Sequence, residues 1–100
     1  MLAEFSINPT DGSHMSKDVA KVIEVLDDIG LEYRLGPMGT SVEGSCDQVL
    51  AAIGRCHQAV ANDHGRVITT VVIDDRRDHP HHLDDMITSV EQALGHRVKH

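Results

Sequence analysis

The sequence predicts an α+β fold, with a four-stranded antiparallel sheet, two helices on one of its faces and a further helix at the C-terminus. Segments in which apolar residues alternate, as in half-buried strands, are interleaved with longer segments in which apolar residues recur at helical spacing. Glycine and proline separate these segments and mark turns. With 100 residues and 40% hydrophobic residues, the chain has the size and composition of one globular domain, expected to span residues 1–100.

The first predicted strand is LAEFSIN, residues 2–8, because Ala3, Phe5 and Ile7 fall on one face of an extended chain. The other face is mostly polar. A loop over residues 9–15 follows and contains the tetrapeptide GSHM, which looks like a cloning scar. A native loop and a fusion junction are both open interpretations of it.

The first helix is predicted to follow this loop. Ser16 is a suitable N-cap, Asp18 places negative charge in the first turn, and Gly30 can close the helix. The apolar residues between these signals form a stripe at helical spacing: Val19, Val22, Ile23, Leu26 and Ile29.

A hairpin and a second helix are predicted next. LEYRL, residues 31–35, alternates again, Gly36–Pro37 marks a turn, and MGTSVEG, residues 38–44, is the third strand. The second helix is expected from about Ser45 to His64–Gly65. Its apolar stripe is Val49, Leu50, Ile53, Cys56 and Val60.

The fourth strand, RVITTVVID at residues 66–74, is apolar or β-branched at both parities, as in a strand covered on both faces. Pro80 suits the first turn of a third helix, which Gly95 would end. The apolar stripe of that helix is Leu83, Met86, Ile87, Val90 and Leu94.

The element order β-α-β-β-α-β with an added C-terminal helix is the ferredoxin-like arrangement. Two helices cover one face of such a sheet. The doubly apolar fourth strand and the unused stripe of the third helix therefore predict that a second copy of the chain supplies further cover.

Composition excludes several function classes. The net charge of −7 argues against binding to nucleic acid or to an anionic membrane surface. Cys46 and Cys56 lie ten residues apart within one predicted helix, too far along its axis for a disulfide, so reduced thiols and a cytoplasmic location are expected. The sequence has neither a transmembrane run nor a signal-peptide pattern.

The junction DHPHH, residues 78–82, offers ligand types that zinc or nickel accept. However, His81 and His82 would point apart on a helix, and the spacing matches no recognised site. A solvated helix start is the preferred interpretation, so no metal and no other cofactor is expected. The eight histidines nevertheless could make association depend on pH.

Catalytic constellations are weak, and no catalytic residue is assigned. Cys56 lies on an apolar stripe and cannot face its neighbour His57 on a helix. Asp74 and Asp75 point to opposite faces at the end of a strand and are followed by arginines, which favours ion pairs over acid–base chemistry.

A polar pocket on the sheet is the remaining possibility. Gly39 is expected within a strand. A glycine at such a position often marks a bulge or the close approach of another group. Thr40 and Glu43 beside it offer a hydroxyl and a carboxylate, and three further polar residues could join them: Ser6, Asn8 and Thr69. An ordinary hairpin surface is the alternative.

Three blocks of the sequence resemble the thiamine-binding-protein, YkoF-like family: SINPT at residues 6–10, GPMGTSVEG at 36–44 and TTVVIDDRRD at 69–78. The resemblance implies a ferredoxin-like subunit that forms homodimers or homotetramers. It also implies non-catalytic binding of thiamine or of its hydroxymethylpyrimidine half.

Transferred by motif, the implied ligand residues are Ser6, Met38, Gly39 and Thr40, where Met38 would supply apolar contact. The residues implied in assembly or at the edge of the site are Asp74, Asp75, Arg76, Arg77 and Asp78. Pro9 is not followed by the glycine usual in the family. A structural or regulatory homo-oligomer without a ligand, or a metal protein using the Asp/His junction, remain the rival hypotheses.

Overall fold

The structure is a computed structural model that describes residues 1–12 and 15–100. Ser13 and His14, within the predicted loop at 9–15, lie outside the described residues. The elements in chain order are β1 (Leu2–Pro9), α1 (Ser16–Ile29), β2 (Glu32–Leu35), β3 (Thr40–Glu43), α2 (Cys46–Ala61), β4 (Val67–Asp74) and α3 (Asp85–Leu94). The predicted α+β fold with its ferredoxin-like order is confirmed.

The sheet has the strand order β2-β3-β1-β4, and each neighbouring pair is antiparallel. In β1, Phe5 lies opposite Thr40 on one side and Val71 on the other. Because side chains alternate along a strand, Ala3, Phe5 and Ile7 share one face, here called the inner face. Those three residues are buried beneath α1 and α2.

The core between the inner face and the two helices consists of aliphatic side chains and one phenylalanine. Its helical members follow the predicted stripes except at one position of α2, where Leu50 is 48% exposed and Ala52 is buried instead. The core residues Leu26, Val49, Cys56 and Val60 are almost fully buried. Hydrophobic burial of this kind is the main stabilising contribution to such a fold.

Three of the predicted helix ends are confirmed, and one of them is Gly95, which closes α3 in the left-handed conformation. Gly30 adopts the left-handed conformation and closes α1. Ser45 caps α2 in a reciprocal capping box, since its hydroxyl accepts from the Gln48 N–H and its own N–H donates to the Gln48 side chain. Ser16 does not cap α1, however: the helix begins at Ser16, and Met15 occupies the cap position without a side-chain hydrogen bond.

The third helix begins later than predicted. Pro80 lies before α3, which starts at Asp85. The intervening backbone is hydrogen-bonded to carboxylates, since the N–H of His82 donates to Asp85 (2.8 Å) and that of Leu83 donates to Glu43 on β3 (2.8 Å). The bond to Glu43 fastens the segment to the sheet, and α3 begins only after it.

The third strand is shorter than the predicted 38–44 and comprises only Thr40–Glu43. The N–H of Gly36 donates to the carbonyl of Gly39 at 2.9 Å, which closes a tight turn. Met38 and Gly39 therefore belong to this turn rather than to the strand.

Several apolar side chains on β4 and α3 are exposed. β4 is an edge strand, and Val72 is 64% exposed on the outer face, which is the face opposite α1 and α2. None of the side chains in Asp85–Leu94 is buried. The exposed large apolar residues of these two elements are Ile68, Val71, Val72, Ile73, Met86, Val90 and Leu94.

Among the described residues, no helix is both long enough and apolar enough to cross a membrane.

Candidate functional site

A cleft of about 100 Å³ opens where the middle of β1 meets the β2–β3 turn and the first turns of α1. Ser6 lines it from β1, although its side chain has the outer-face parity and accepts a hydrogen bond from Asn8 there. The turn and the start of β3 contribute Met38, Gly39 and Thr40. The structure therefore brings together four of the seven residues predicted to bind a ligand.

The three remaining residues of that prediction lie elsewhere. Asn8 follows the outer-face parity of β1, where its amide donates to the Ser6 hydroxyl at 3.3 Å. Glu43 is engaged by the α3 approach segment through Leu83. Thr69 lies on the inner face of β4, with its hydroxyl 2.6 Å from Nδ1 of His57. The seven residues do not line one shared pocket.

The β2–β3 turn approaches β1 very closely. A Cβ atom added to Gly39 would lie 2.9 Å from the carbonyl oxygen of Phe5, a backbone atom that cannot move aside cheaply. The close approach of another group was one of the two interpretations that the sequence suggested for Gly39, and it is confirmed here. Met38 is 86% exposed at the rim of the cleft, whereas Thr40 is only 5% exposed. The cleft therefore has an exposed apolar rim and a buried hydroxyl-bearing residue.

Three ionisable side chains form a bridge beside the cleft. His64 follows α2, which ends at Ala61, before the expected end near His64–Gly65. Its Nδ1 lies 2.5 Å from Asp11, and its Nε2 lies 3.0 and 3.1 Å from the two carboxylate oxygens of Asp18. The side chains of His64 and Asp18 are only 8% and 6% exposed. Asp18 also lines the cleft.

The bridge favours the charged form of the histidine. Hydrogen bonds from the imidazole to Asp11 and then to Asp18 raise the pKa of His64 above its ordinary value, and desolvation opposes them only in part. In the protonated form both ring nitrogens donate, so His64 joins two carboxylates that belong to different parts of the chain.

Sequence reasoning missed this bridge, although one signal was present. Asp18 is four and eight residues before Val22 and Leu26, and all three are buried on the same side of α1. A carboxylate at a core position of a helix requires a partner, since a buried charge is costly alone. The partner could not be read from the sequence, because His64 lies 46 residues away.

The acidic and basic junction after β4 forms ion pairs within the chain. Arg76 lies 3.4 Å from Asp74, and Arg77 lies 3.7 Å from Asp75, with both arginines exposed. Exposed pairs of this kind contribute at most about 1 kcal/mol each. Their role in assembly stays a prediction.

The two histidines that precede α3 contact single carboxylates, and the prediction of a solvated helix start is wrong for His81, whose side chain is only 19% exposed. Nδ1 of His81 lies 3.6 Å from Asp74, and Nδ1 of His82 lies 3.2 Å from Glu43. Over residues 1–12 and 15–100, no group of three or more His, Cys, Asp or Glu side chains is arranged to hold a metal ion.

The thiol and imidazole of α2 do not form a catalytic pair. Burial raises the pKa of the Cys56 thiol to about 11, so it remains protonated at neutral pH. Its sulfur lies 3.8 Å from the carbonyl oxygen of Val22, while His57 contacts Thr69. This agrees with the expectation that Cys56 is a small buried core residue.

Comparison with known proteins identifies the family. The sequence model of the family described as thiamine-binding protein matches residues 3–91. The chain belongs to the thiamine-binding protein family. This family contains relatives of unassigned function as well. UPF0045 protein MJ1052 of Methanocaldococcus jannaschii is 35% identical over 91 residues, which cover 90% of this chain and 91% of the relative.

Solved structures agree with the fold of this thiamine-binding protein family member. The crystal structure of MJ1052 matches with a TM-score of 0.78 and 36% identity over 94% of each chain. A domain of unknown function from Bacillus cereus matches with a TM-score of 0.74 and 28% identity, covering 86% of this chain and 85% of that one.

A Thermotoga maritima protein named as a candidate thiamine biosynthesis/salvage protein matches with a TM-score of 0.76. The match covers 89% of this chain and 96% of that one, and the identity of 16% supports likeness of fold alone.

The His64 bridge predicts a pH-dependent contribution to stability. Because the pKa of His64 is raised by folding, its contribution is fully present below the unfolded value of about 6.5 and is lost as pH rises through the folded value. We expect His64→Gln to lower the free energy of unfolding most near pH 6 and progressively less toward about pH 9. Urea denaturation across this range measures the difference.

The exposed His79 provides the matched control, since His79→Gln should change the free energy of unfolding little at any of these pH values. A deficit of His64→Gln that stays constant or grows as pH rises would contradict the assigned bridge.

Proposed function

We propose that residues 1–100 form one domain that binds thiamine, or its hydroxymethylpyrimidine half, in the cleft between β1, the β2–β3 turn and α1. The binding is non-catalytic, requires no cofactor, and takes place in a cytoplasmic homo-oligomer. The observation that carries this proposal is that Met38, Gly39 and Thr40, three adjacent residues of one family block, line the same cleft.

The chemistry of the cleft suits an aminopyrimidine. Such a ring needs hydrogen-bond donors and acceptors along its edge, which the Thr40 hydroxyl and nearby backbone groups can supply. Met38 can adapt to its apolar surface. The net charge of −7 attracts a cation such as thiamine over longer distances.

The volume of the cleft favours one ring of the ligand. Binding pockets for whole small molecules typically measure about 300–1,000 Å³, whereas this cleft measures about 100 Å³. We therefore place the pyrimidine half inside and leave the thiazolium half of thiamine at the exposed rim near Met38.

The cytoplasmic location and the absence of nucleic-acid and membrane partners are inferred from the free thiols and the net charge of the chain. Both cysteines are free thiols, which supports a reducing compartment. The acidic composition supports the absence of nucleic acid and membrane partners. The protonated Cys56 and the engaged His57 support a binding role over catalysis.

The Thr40 hydroxyl provides the test of ligand binding. We expect Thr40→Val to weaken hydroxymethylpyrimidine binding by about 0.5–1.5 kcal/mol, because one neutral hydrogen bond is lost while the side-chain shape is kept. Isothermal titration calorimetry measures the affinity, and a rise in melting temperature provides a second readout.

Thr88→Val on α3 is the control, since Thr88 is exposed and far along the chain from the cleft. Unchanged affinity in Thr40→Val would remove Thr40 from the site. Absence of both heat and thermal shift with the parent protein would remove the proposed ligand class.

The oligomer proposal rests on exposed apolar surface. Edge strands carry backbone groups that readily pair with another strand, and β4 combines such an edge with apolar residues on both faces. The apolar stripe of α3 adds a second exposed surface. Large apolar patches generally mark interaction sites. A second copy offers the same surfaces, and Arg76 and Arg77 with their neighbouring carboxylates would flank the contact.

Assembly is tested by charge introduced on β4. We expect Val72→Asp to shift the protein toward an 11.0 kDa monomer, because a carboxylate would be buried without a partner at the proposed contact. Light scattering coupled to size exclusion measures the mass. The control is Leu50→Asp, which places the same charge at an exposed apolar position on α2.

A parent protein that is monomeric at micromolar concentration would overturn the oligomer. Assembly that persists without any thiamine-type binding would instead favour a structural homo-oligomer, the alternative supported by the exposed β4 and α3 surfaces.

A further inference from the structure

The Asp18 carboxylate combines two properties that are rarely found together. It lines the cleft proposed to bind the ligand, and its side chain is 6% exposed. A carboxylate held away from water makes stronger and more selective hydrogen bonds than one at the surface. Asp18 is therefore placed to discriminate between ligands and not merely to attract them.

The orientation of Asp18 is fixed by its neighbours. Nε2 of His64 lies almost equally far from both carboxylate oxygens, at 3.0 and 3.1 Å. The other ring nitrogen of His64 is held by Asp11 at 2.5 Å. A carboxylate has about four lone-pair sites, so one shared contact leaves each oxygen able to accept another hydrogen bond.

The negative net charge of the bridge favours a ligand group that donates hydrogen bonds. With His64 protonated, the two carboxylates and one imidazolium carry a net charge of −1 beside the cleft. A carboxylate only accepts hydrogen bonds, so it favours a ligand that presents N–H groups and disfavours one that presents a carbonyl oxygen at the same place. An amino group on an aromatic ring meets this requirement.

We propose that Asp18 recognises the exocyclic amino group of the ligand's pyrimidine ring, and that His64 and Asp11 are positioning residues for this carboxylate. This inference rests on the proposed function, because it assigns an additional recognition residue in the same cleft. It predicts selectivity for aminopyrimidines over oxopyrimidines.

The first experiment uses the parent protein and needs no variant. Calorimetry compares hydroxymethylpyrimidine with the analogue in which a 4-oxo group replaces the 4-amino group. We expect the oxo analogue to bind at least about tenfold more weakly, since sites built around a hydrogen bond reject ligands that leave a buried group unpaired. Equal affinities would overturn the inference and leave the proposed function intact. Binding of neither compound would overturn both.

The second experiment assigns the selectivity to the carboxylate. Asp18→Asn keeps the size of the side chain but introduces an N–H donor, so we expect the amino-to-oxo affinity ratio to fall at least about fivefold. The control is Asp28→Asn, which removes the same charge from an exposed position on the same helix and should leave the ratio unchanged. A ratio unchanged in Asp18→Asn would overturn the assignment.

The positioning role is tested by the same ratio. His64→Gln should lower the affinity ratio as well, because Asp18 loses its fixed orientation while its carboxylate remains. A variant that is less stable but keeps the parent ratio would show that His64 supports the fold alone. That result would overturn its positioning role. If Asp18→Asn does not fold, the parent ratio and the His64→Gln ratio decide the proposal.

Discussion

The alternation of side chains along β1 determines how the rest of the molecule is used. Because successive residues of a strand point to opposite faces, Ala3, Phe5 and Ile7 enter the core, while Glu4, Ser6 and Asn8 face away from it. β1 also pairs with both β3 and β4, so this alternation is imposed on both of its neighbours. A shift of one residue would exchange the two faces and expose the core.

This constraint explains why only part of the predicted polar pocket comes together. Thr40 and Thr69 have the inner-face parity, whereas Asn8 and Glu43 have the outer one. Residues that are close in the sheet can thus face opposite sides of it. The cleft forms only where the β2–β3 turn approaches the backbone of Phe5 and α1 begins.

Local patterns made much of the fold predictable from the sequence. Alternation located β1 and β2, a run of β-branched and apolar residues located β4, and helical spacing located α1 and α2, because these signals arise within a few residues. The predicted start of α3 was wrong. Pro80 suggested a first helical turn, but the backbone N–H groups of His82 and Leu83 donate to carboxylates and lie outside the helix. The contact between Leu83 and Glu43, which are 40 residues apart in the sequence, overrode a local preference.

The candidate site was less predictable for the same reason. Family resemblance supplied Met38, Gly39 and Thr40, which are neighbours in sequence. The Asp11–His64–Asp18 bridge joins His64 to residues that lie 53 and 46 positions away in the sequence. The only signal in the sequence was the helical spacing that places Asp18 in line with Val22 and Leu26. It indicated that the carboxylate needs a partner but did not identify that partner.

The cleft and the exposed β4 surface carry the two proposed roles, binding of a small molecule and contact with a second copy. The central claim is that the ligand enters the cleft and not the outer face of the sheet. Nuclear magnetic resonance titration of the nitrogen-15-labelled protein with hydroxymethylpyrimidine tests it most directly. The account predicts amide shift changes centred on Asp18, Gly39 and Thr40. Changes centred instead on Ser41 and Val72, which lie on the outer face, would contradict it.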